Sequence, residues 1–326
     1  MLFAQSIEDV MKAFDETLME MRSVNAKVTI GFITFEESST CGSVVLYFQN
    51  EIKKAAEHTR RIEIVKTTEL SDYEQAGIMT RGINSGMSKK ARTNNDPAYN
   101  LDGKYYERGD NIELVLTLCN SDKKIFAEKS AFIPKAVLSK NKLTLYPKNK
   151  GLAETIQEDF DKSEKELEEE QSAQARKKSA KNIGLAASII LVDSRELVNI
   201  LKPKDRFRIR ITADTDCYLA ILGINANGEK NWLSPDYNFI RADQSREFPD
   251  RKSEGDYIIE DDGVFGAEQV IIYAATDESI LPHKAIDSGK YSNEDLHAIM
   301  RKQQAVRRNT NQATGTFKIT YTIMEN

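Results

Sequence analysis

The sequence predicts an α+β chain of two domains: an N-terminal α/β sandwich, a charged helical connector, and a C-terminal β-rich, sandwich-like domain with one late helix. Three observations predict it. Helical and strand periodicities alternate up to about residue 135, an acidic and then a basic block interrupt them between Gly151 and Lys181, and short β-branched and aromatic runs dominate beyond. At 326 residues against roughly 100 to 200 per domain, the chain has room for two cores. The boundaries fall at 1–150, 151–183 and 184–326.

The first predicted element is a helix from Ser6 to Arg22. Ile7, Val10, Met11, Phe14, Leu18 and Met21 share one face, and Ser6 is a natural N-cap. Lys27 to Phe35 (KVTIGFITF) reads as a strand, because β-branched and aromatic residues crowd it. A second helix is expected from Thr40 to His58, with Val44, Val45, Phe48, Ile52, Ala55 and Ala56 inward. Arg61 to Val65 (RIEIV) is a short strand. Ser71 to Thr93 is a further helix candidate weakened by Gly77, Gly82 and Gly86, and Asn94-Asn95-Asp96-Pro97 marks a loop. Gly103 to Glu107, Asn111 to Cys119 and Lys124 to Phe132 then read as an antiparallel meander turned at Arg108-Gly109-Asp110 and Asn120-Ser121-Asp122.

In the connector, Glu164, Glu166, Glu168, Glu169 and Glu170 precede Arg176, Lys177, Lys178 and Lys181, with only Leu152, Ile156, Phe160 and Leu167 as apolar positions. That pattern suits an exposed helix without the sustained heptads of a coiled coil. Beyond it, strands are expected at Ala187 to Val192, Arg206 to Thr212, Cys217 to Ile224, Gln269 to Ala274 and Thr316 to Ile323. Asn227-Gly228 suits a hairpin turn with positive φ angles. One helix, Asn293 to Arg307, places Leu296, Ile299, Met300 and Val306 on one side. An antiparallel β-sandwich accounts for the set.

Balanced charges with a net of -5 leave no overall electrostatic footprint for nucleic acid. The basic residues Arg301, Lys302, Arg307 and Arg308 lack interleaved aromatics and read as a solvated face. No apolar run approaches the roughly 20 residues of a membrane-spanning helix. Met1-Leu2-Phe3-Ala4-Gln5 resembles the end of an apolar segment followed by a small residue, as left near a cleavage site. The expectation is an exported chain with its signal trimmed; the alternative is an ordinary start and a cytoplasmic chain.

Tests for chemistry return little. Cys41, Cys119 and Cys217 are too widely spaced for a disulfide framework or a CxxC-type zinc site, and their apolar or small neighbours suit buried thiols. Cys41 and His58 lie at opposite ends of the second predicted helix, roughly 25 Å apart at 1.5 Å rise per residue, too far for a nucleophile and its base. His283 and His297 fall in no zinc-binding spacing. Asp214 with Asp216, and Asp261 with Asp262, are better read as turn formers than as calcium ligands, because neither segment completes an EF-hand loop. No phosphate-cradling glycine loop or serine elbow occurs. The expectation is a protein that is not an enzyme and needs no cofactor or metal. Trp232, Pro235 and Tyr237, in the run NWLSPDY, are the candidate binding residues, since large side chains near a turn offer contact area at small entropic cost. A tryptophan closing the sandwich core is the competing reading.

Two resemblances follow from particular residues. From about residue 6 to 135, the amphipathic helix, VTIGFITF, the helix ending near His58 and the run GKYYERGDNIELVLTLCNSDKKIFAEKSAFI resemble the FlgO-type and CsgG/LpoB-like bacterial envelope domains. Members of that group are commonly lipoproteins, and this sequence has no cysteine near its start to be lipidated. From about residue 198 to 324, KPKDRFRIRITADTDCYLAILGINANGEKNWLSPD, GAEQVIIYAATDE and TFKITYTI are similar to a bacterial domain of unknown function, the 4384 series. The resemblances imply a periplasmic or envelope adaptor or assembly protein, linked to flagella or another surface complex. Its expected partner is an envelope or flagellar protein or a second copy of itself. A sensing module for a peptide, glycan or small molecule is the alternative.

Overall fold

The computed structural model describes residues 5–23, 26–36, 38, 40–66, 99–120, 124–155, 158, 182–233, 238–249, 255–281 and 313–325. The helix candidate at 71–93, most of the connector and the helix expected at 293–307 lie outside them. The chain divides into two compact units: one holds the described residues up to Lys148 together with Arg195–Asn199, the other the rest from Asn149. Mixed α+β structure, dominated by strands, runs through the described residues.

Helix α1 (Ile7–Glu20) begins where a reciprocal cap stops the chain from continuing upstream. The Asp9 N–H donates to Ser6 Oγ at 3.1 Å, and the Ser6 N–H donates to Asp9 Oδ2 at 2.9 Å. Its buried stripe is Ile7, Val10, Met11, Phe14 and Leu18. Strand β1 (Ala26–Phe35) follows, then helix α2 (Val44–Ala56) and strand β2 (Ile62–Ile64). Helix α2 starts four residues later than its periodicity predicts, because residues 40–42 are committed elsewhere. The Phe35 N–H donates to the Thr40 carbonyl, and the Gly42 N–H donates to Tyr105 Oη at 2.8 Å. A side chain at Gly42 would have its Cβ 2.4 Å from the Thr144 carbonyl oxygen, so only glycine permits this approach.

Strands β3 (Tyr99–Arg108), β4 (Asn111–Asn120) and β5 (Ile125–Pro134) form the expected meander, and helix α3 (Ala136–Lys140) closes the unit. The sheet runs β2-β1-β3-β4-β5, with β1 parallel to both its neighbours and the remaining pairs antiparallel. Helices α1 and α2 pack together, α1 also against β5 and α2 against β1 and β2. Phe48 of α2 meets the ring of Tyr105 edge-on at 5.5 Å, and the Tyr105 hydroxyl donates to the Leu145 carbonyl at 2.7 Å.

The later strands are β6 (Leu185–Leu191), β7 (Leu197–Val198, grouped with the first unit), β8 (Ile200–Leu201), β9 (Arg206–Ala213) and β10 (Cys217–Ile224). They continue as β11 (Lys230–Trp232), β12 (Phe239–Ile240), β13 (Ser245–Phe248), β14 (Tyr257–Ile258), β15 (Gly266–Ala275) and β16 (Thr314–Ile323). One sheet is ordered β11-β10-β15-β16-β8, with β12 also on β10. In the other, β9 lies between β13 and β6, and β14 pairs with the start of β9. Strand β15 is buried along almost its whole length, which explains the apolar run VIIYAA without alternation. Phe207 of β9 and Tyr321 of β16, centroids 5.8 Å apart, join the two layers in a sandwich-like core. In the β10–β11 hairpin only Gly228 has positive φ, +81°, and Asn225 Oδ1 accepts the N–H groups of Asn227 and Glu229. The hairpin that Asn227-Gly228 suggested is therefore present, closed by a loop built on an asparagine side chain and with positive φ at the glycine alone.

Candidate functional site

A cleft of about 230 Å³ opens at one end of the sandwich in the second unit. Pairing places its central residues. Glu268 stands directly opposite Tyr321 in the β15–β16 ladder, so both side chains leave the same face of the sheet. Tyr321 Oη donates to Glu268 Oε2 at 2.7 Å, and the Ala226 N–H donates to Oε1 at 3.2 Å. Phe207 stands opposite Tyr257 in the facing sheet, with ring centroids 5.4 Å apart. The Tyr257 hydroxyl donates to the Leu233 carbonyl at 2.9 Å, which ties β14 to the end of β11. Gly223, Ile224, Asn225, Asn231 and Leu233 make one wall; Ile258, Ile259, Glu260, Asp262 and Val264 make the rim.

The electrostatics of this cleft are one-sided. Glu260, Asp262 and Glu268 line it, and among the described residues no lysine, arginine or histidine does. Burial pushes the Glu268 carboxyl above its ordinary range; the hydrogen bonds from Tyr321 and Ala226 oppose that push, and the nearby Asp262 charge adds to it. Tyr321 is driven well above the usual tyrosine value, first by burial and then by the Glu268 charge. Both groups hold protons more firmly than they would in water. The arrangement orients a half-buried carboxylate beside aromatic faces, which suits recognition of a group that is apolar along its length and cationic at its tip.

Residues 200–278 match the family model described as Domain of unknown function (DUF4384). The match lies inside the stretch for which that resemblance was drawn and takes in Phe207, Tyr257 and Glu268 of the cleft, while Tyr321 lies beyond it. No curated protein matches the chain.

The structure separates the residues singled out from sequence. Trp232 stands opposite Leu222 in the β10–β11 ladder, and its ring packs 6.1 Å from that of Tyr273 in a cluster with Ile224 and Ile271. Its neighbours Asn231 and Leu233 line the cleft; Trp232 does not. Pro235 and Tyr237 lie outside the described residues, as do His283 and His297. Cys41, Cys119 and Cys217 are buried free thiols, and burial pushes Cys217 up to about 12. His58 borders a hollow of about 330 Å³ in the first unit, between the start of α1, α2 and β5. There Lys54 pairs with Glu51 at 2.8 Å, so the hollow's charges partly satisfy one another. Asp262 accepts the Val264 N–H two residues on, as a turn former does, whereas Asp214 accepts the Gly184 N–H and Asp216 the Ala242 N–H, tying segments distant in sequence. Among the described residues, no group of three His, Cys, Asp or Glu could hold a metal ion, and no helix is long and apolar enough to cross a membrane.

Sequence reasoning missed two features. The cleft draws on five distant segments, and its one local signal is a carboxylate, Glu268, beside Gln269 at the start of a strand that is apolar from Val270 on. The second is a charge ladder on the outer face of β9. Arg206 pairs with Asp193 and Asp256, Arg208 with Asp256 and Glu247, and Arg210 with Glu247. Its signal is plain in hindsight: RFRIR alternates arginine with apolar residues at the strand period.

Proposed function

We propose that this chain is a non-enzymatic adaptor of the bacterial envelope, in which the second unit captures a segment of a partner protein in the Glu268–Tyr321 cleft. The first unit docks or self-associates in this reading. The cleft is the observation that carries it: aromatic walls and an oriented carboxylate are held by both layers of the sandwich, and an apolar residue, Ile258, stands 59% exposed at the rim. Its volume of about 230 Å³ falls below the roughly 300–1,000 Å³ of small-molecule pockets, which favours one or two side chains of a larger partner over a free metabolite. The envelope setting and a flagellar or other surface complex rest on the resemblance of residues 6–135 to FlgO-type and CsgG/LpoB-like domains.

A photo-crosslinking residue at Ile258, compared with one at the equally exposed Ile125 on β5, tests this reading in envelope extract. The expected result is a discrete protein captured from position 258 and not from 125, with light scattering fixing the mass of the chain alone. Equal capture at both positions, or none at 258, would count against the adaptor.

A further inference from the structure

Resting on that reading, we propose that the cleft selects a basic side chain, lysine or arginine, presented by a protein segment, with its methylenes along Phe207, Tyr257 and Tyr321 and its charged head at Glu268 and Asp262. The first support is charge. Among the described residues the lining has three carboxylates and no basic residue, a charge that favours a positive partner. Glu268 shows this most clearly. Its two oxygens accept one hydrogen bond each, from Tyr321 Oη and the Ala226 N–H, which leaves about two of a carboxylate's four lone-pair positions open. No described cation pairs with it, whereas Arg208, Arg210 and Arg206 on the outer face of the facing sheet all have acidic partners.

The second support is shape. The rings of Phe207, Tyr257 and Tyr321 follow one another with centroids 5.4 and 5.8 Å apart, Phe207 and Tyr321 closing the floor of the cleft and the half-buried Tyr257 its more open side. Such a surface takes the stem of a lysine or arginine and favours the cation by its ring quadrupoles. A glutamate probe would meet three like charges, and a norleucine probe would fill the aromatic wall while leaving Glu268 without a counter-charge. The groups facing Glu268 are Tyr321 from β16 and Asp262 from the loop before β15, with Tyr257 beside Tyr321. A bound cation pulls the Glu268 carboxyl back toward its ordinary range, so binding releases protons and tightens as pH rises through that group's titration.

The test uses the full chain with methyl-labelled isoleucine. Ile224, Ile258, Ile259 and Ile323 line the cleft, and Ile33 and Ile52 report on the first unit. The probes are short blocked peptides differing at one central position: lysine, arginine, norleucine or glutamate. Lysine and arginine peptides should shift the cleft isoleucines alone, with affinity about tenfold or more above the norleucine peptide. Asp262→Asn, at an exposed rim position, and Glu268→Gln should each reduce that preference. Equal binding of the norleucine peptide in the cleft would overturn the basic-side-chain inference and leave the adaptor reading standing. A free diamine binding as tightly as the lysine peptide would overturn the assignment to a protein segment. If no peptide moves the cleft isoleucines, both readings fall.

Discussion

Replacing Asp256 with alanine should unfold the second unit far more readily, and the size of the effect follows from the ladder on β9. Asp256 Oδ1 accepts from Arg208 Nε at 2.7 Å and from Nη2 at 2.5 Å, and both side chains are almost wholly out of solvent, 9% and 13% exposed. Removing one partner of such a pair strands the other charge, at a cost of about 3–5 kcal/mol. Glu247 remains 3.9 Å from Arg208 and shields part of it, so Asp256→Ala should cost about 3 kcal/mol, the low end of that range. Asp256→Asn keeps an oxygen to accept the Arg208 Nε–H and should cost about 1–2 kcal/mol. Trp232 is the only tryptophan in the sequence and packs within the second unit, so its fluorescence during urea unfolding reports on that unit. With a urea slope of roughly 1–3 kcal/mol per molar, the alanine variant's midpoint should fall by about 1–3 M. A fall below about 0.3 M, or full additivity with Glu247→Gln, would show a solvent-screened surface pair instead.

In the first unit, Tyr105→Phe leaves the Gly42 N–H and the Leu145 carbonyl without their partner; it should cost about 2–4 kcal/mol and raise hydrogen exchange around residues 40–45 and 144–146. Gly42→Ala drives a Cβ into the backbone of residues 144–146 and should do at least as much by the same readout. Glu268 is an acid held above its usual value of 4.5 in the folded state, so its contribution to stability is complete below that value and is lost as pH rises through the folded one. Thermal melts should therefore show Glu268→Gln gaining on the unsubstituted chain as pH rises above about 4.5, and a pH-independent difference would contradict the burial. All three cysteines are buried, and Cys217 is pushed up to about 12, so a thiol reagent at pH 8 should label the folded chain slowly and the urea-unfolded chain fully.

Much of the framework was legible because it rests on local period. Helix α1 with its Ser6 cap, the meander strands and strand Cys217–Ile224 follow from the 3.6 and 2.0 spacings that burial on one face imposes. Strand β3 starts four residues before its local signal at Gly103, because Tyr99, Asn100 and Leu101 pair with Val28, Thr29 and Ile30, residues that no local window contains. The short strands β8, β11, β12, β13 and β14 have two to four residues each and exist through their partners, so propensity has too little chain to act on. The cleft was hidden for a related reason. Glu268 and Tyr321 become neighbours only through strand register, and Phe207 and Tyr257 join them only when two sheets close. Trp232 was conspicuous by type, yet strand alternation turns it to the face shared with Leu222 and gives the cleft to its neighbours.

The placement of β1 between β2 and β3 in the first sheet also sets an order of assembly. Strands β3, β4 and β5 are joined by short turns and can find one another at small loop-closure cost, whereas β1 must close a loop of about 70 residues to meet β3. Pulse-labelled hydrogen exchange should accordingly find protection across 111–134 before 26–35. Until that late step, the edge of β3 that β1 will occupy stays open to any other strand, and dilute, cool refolding should keep it from pairing with a second chain.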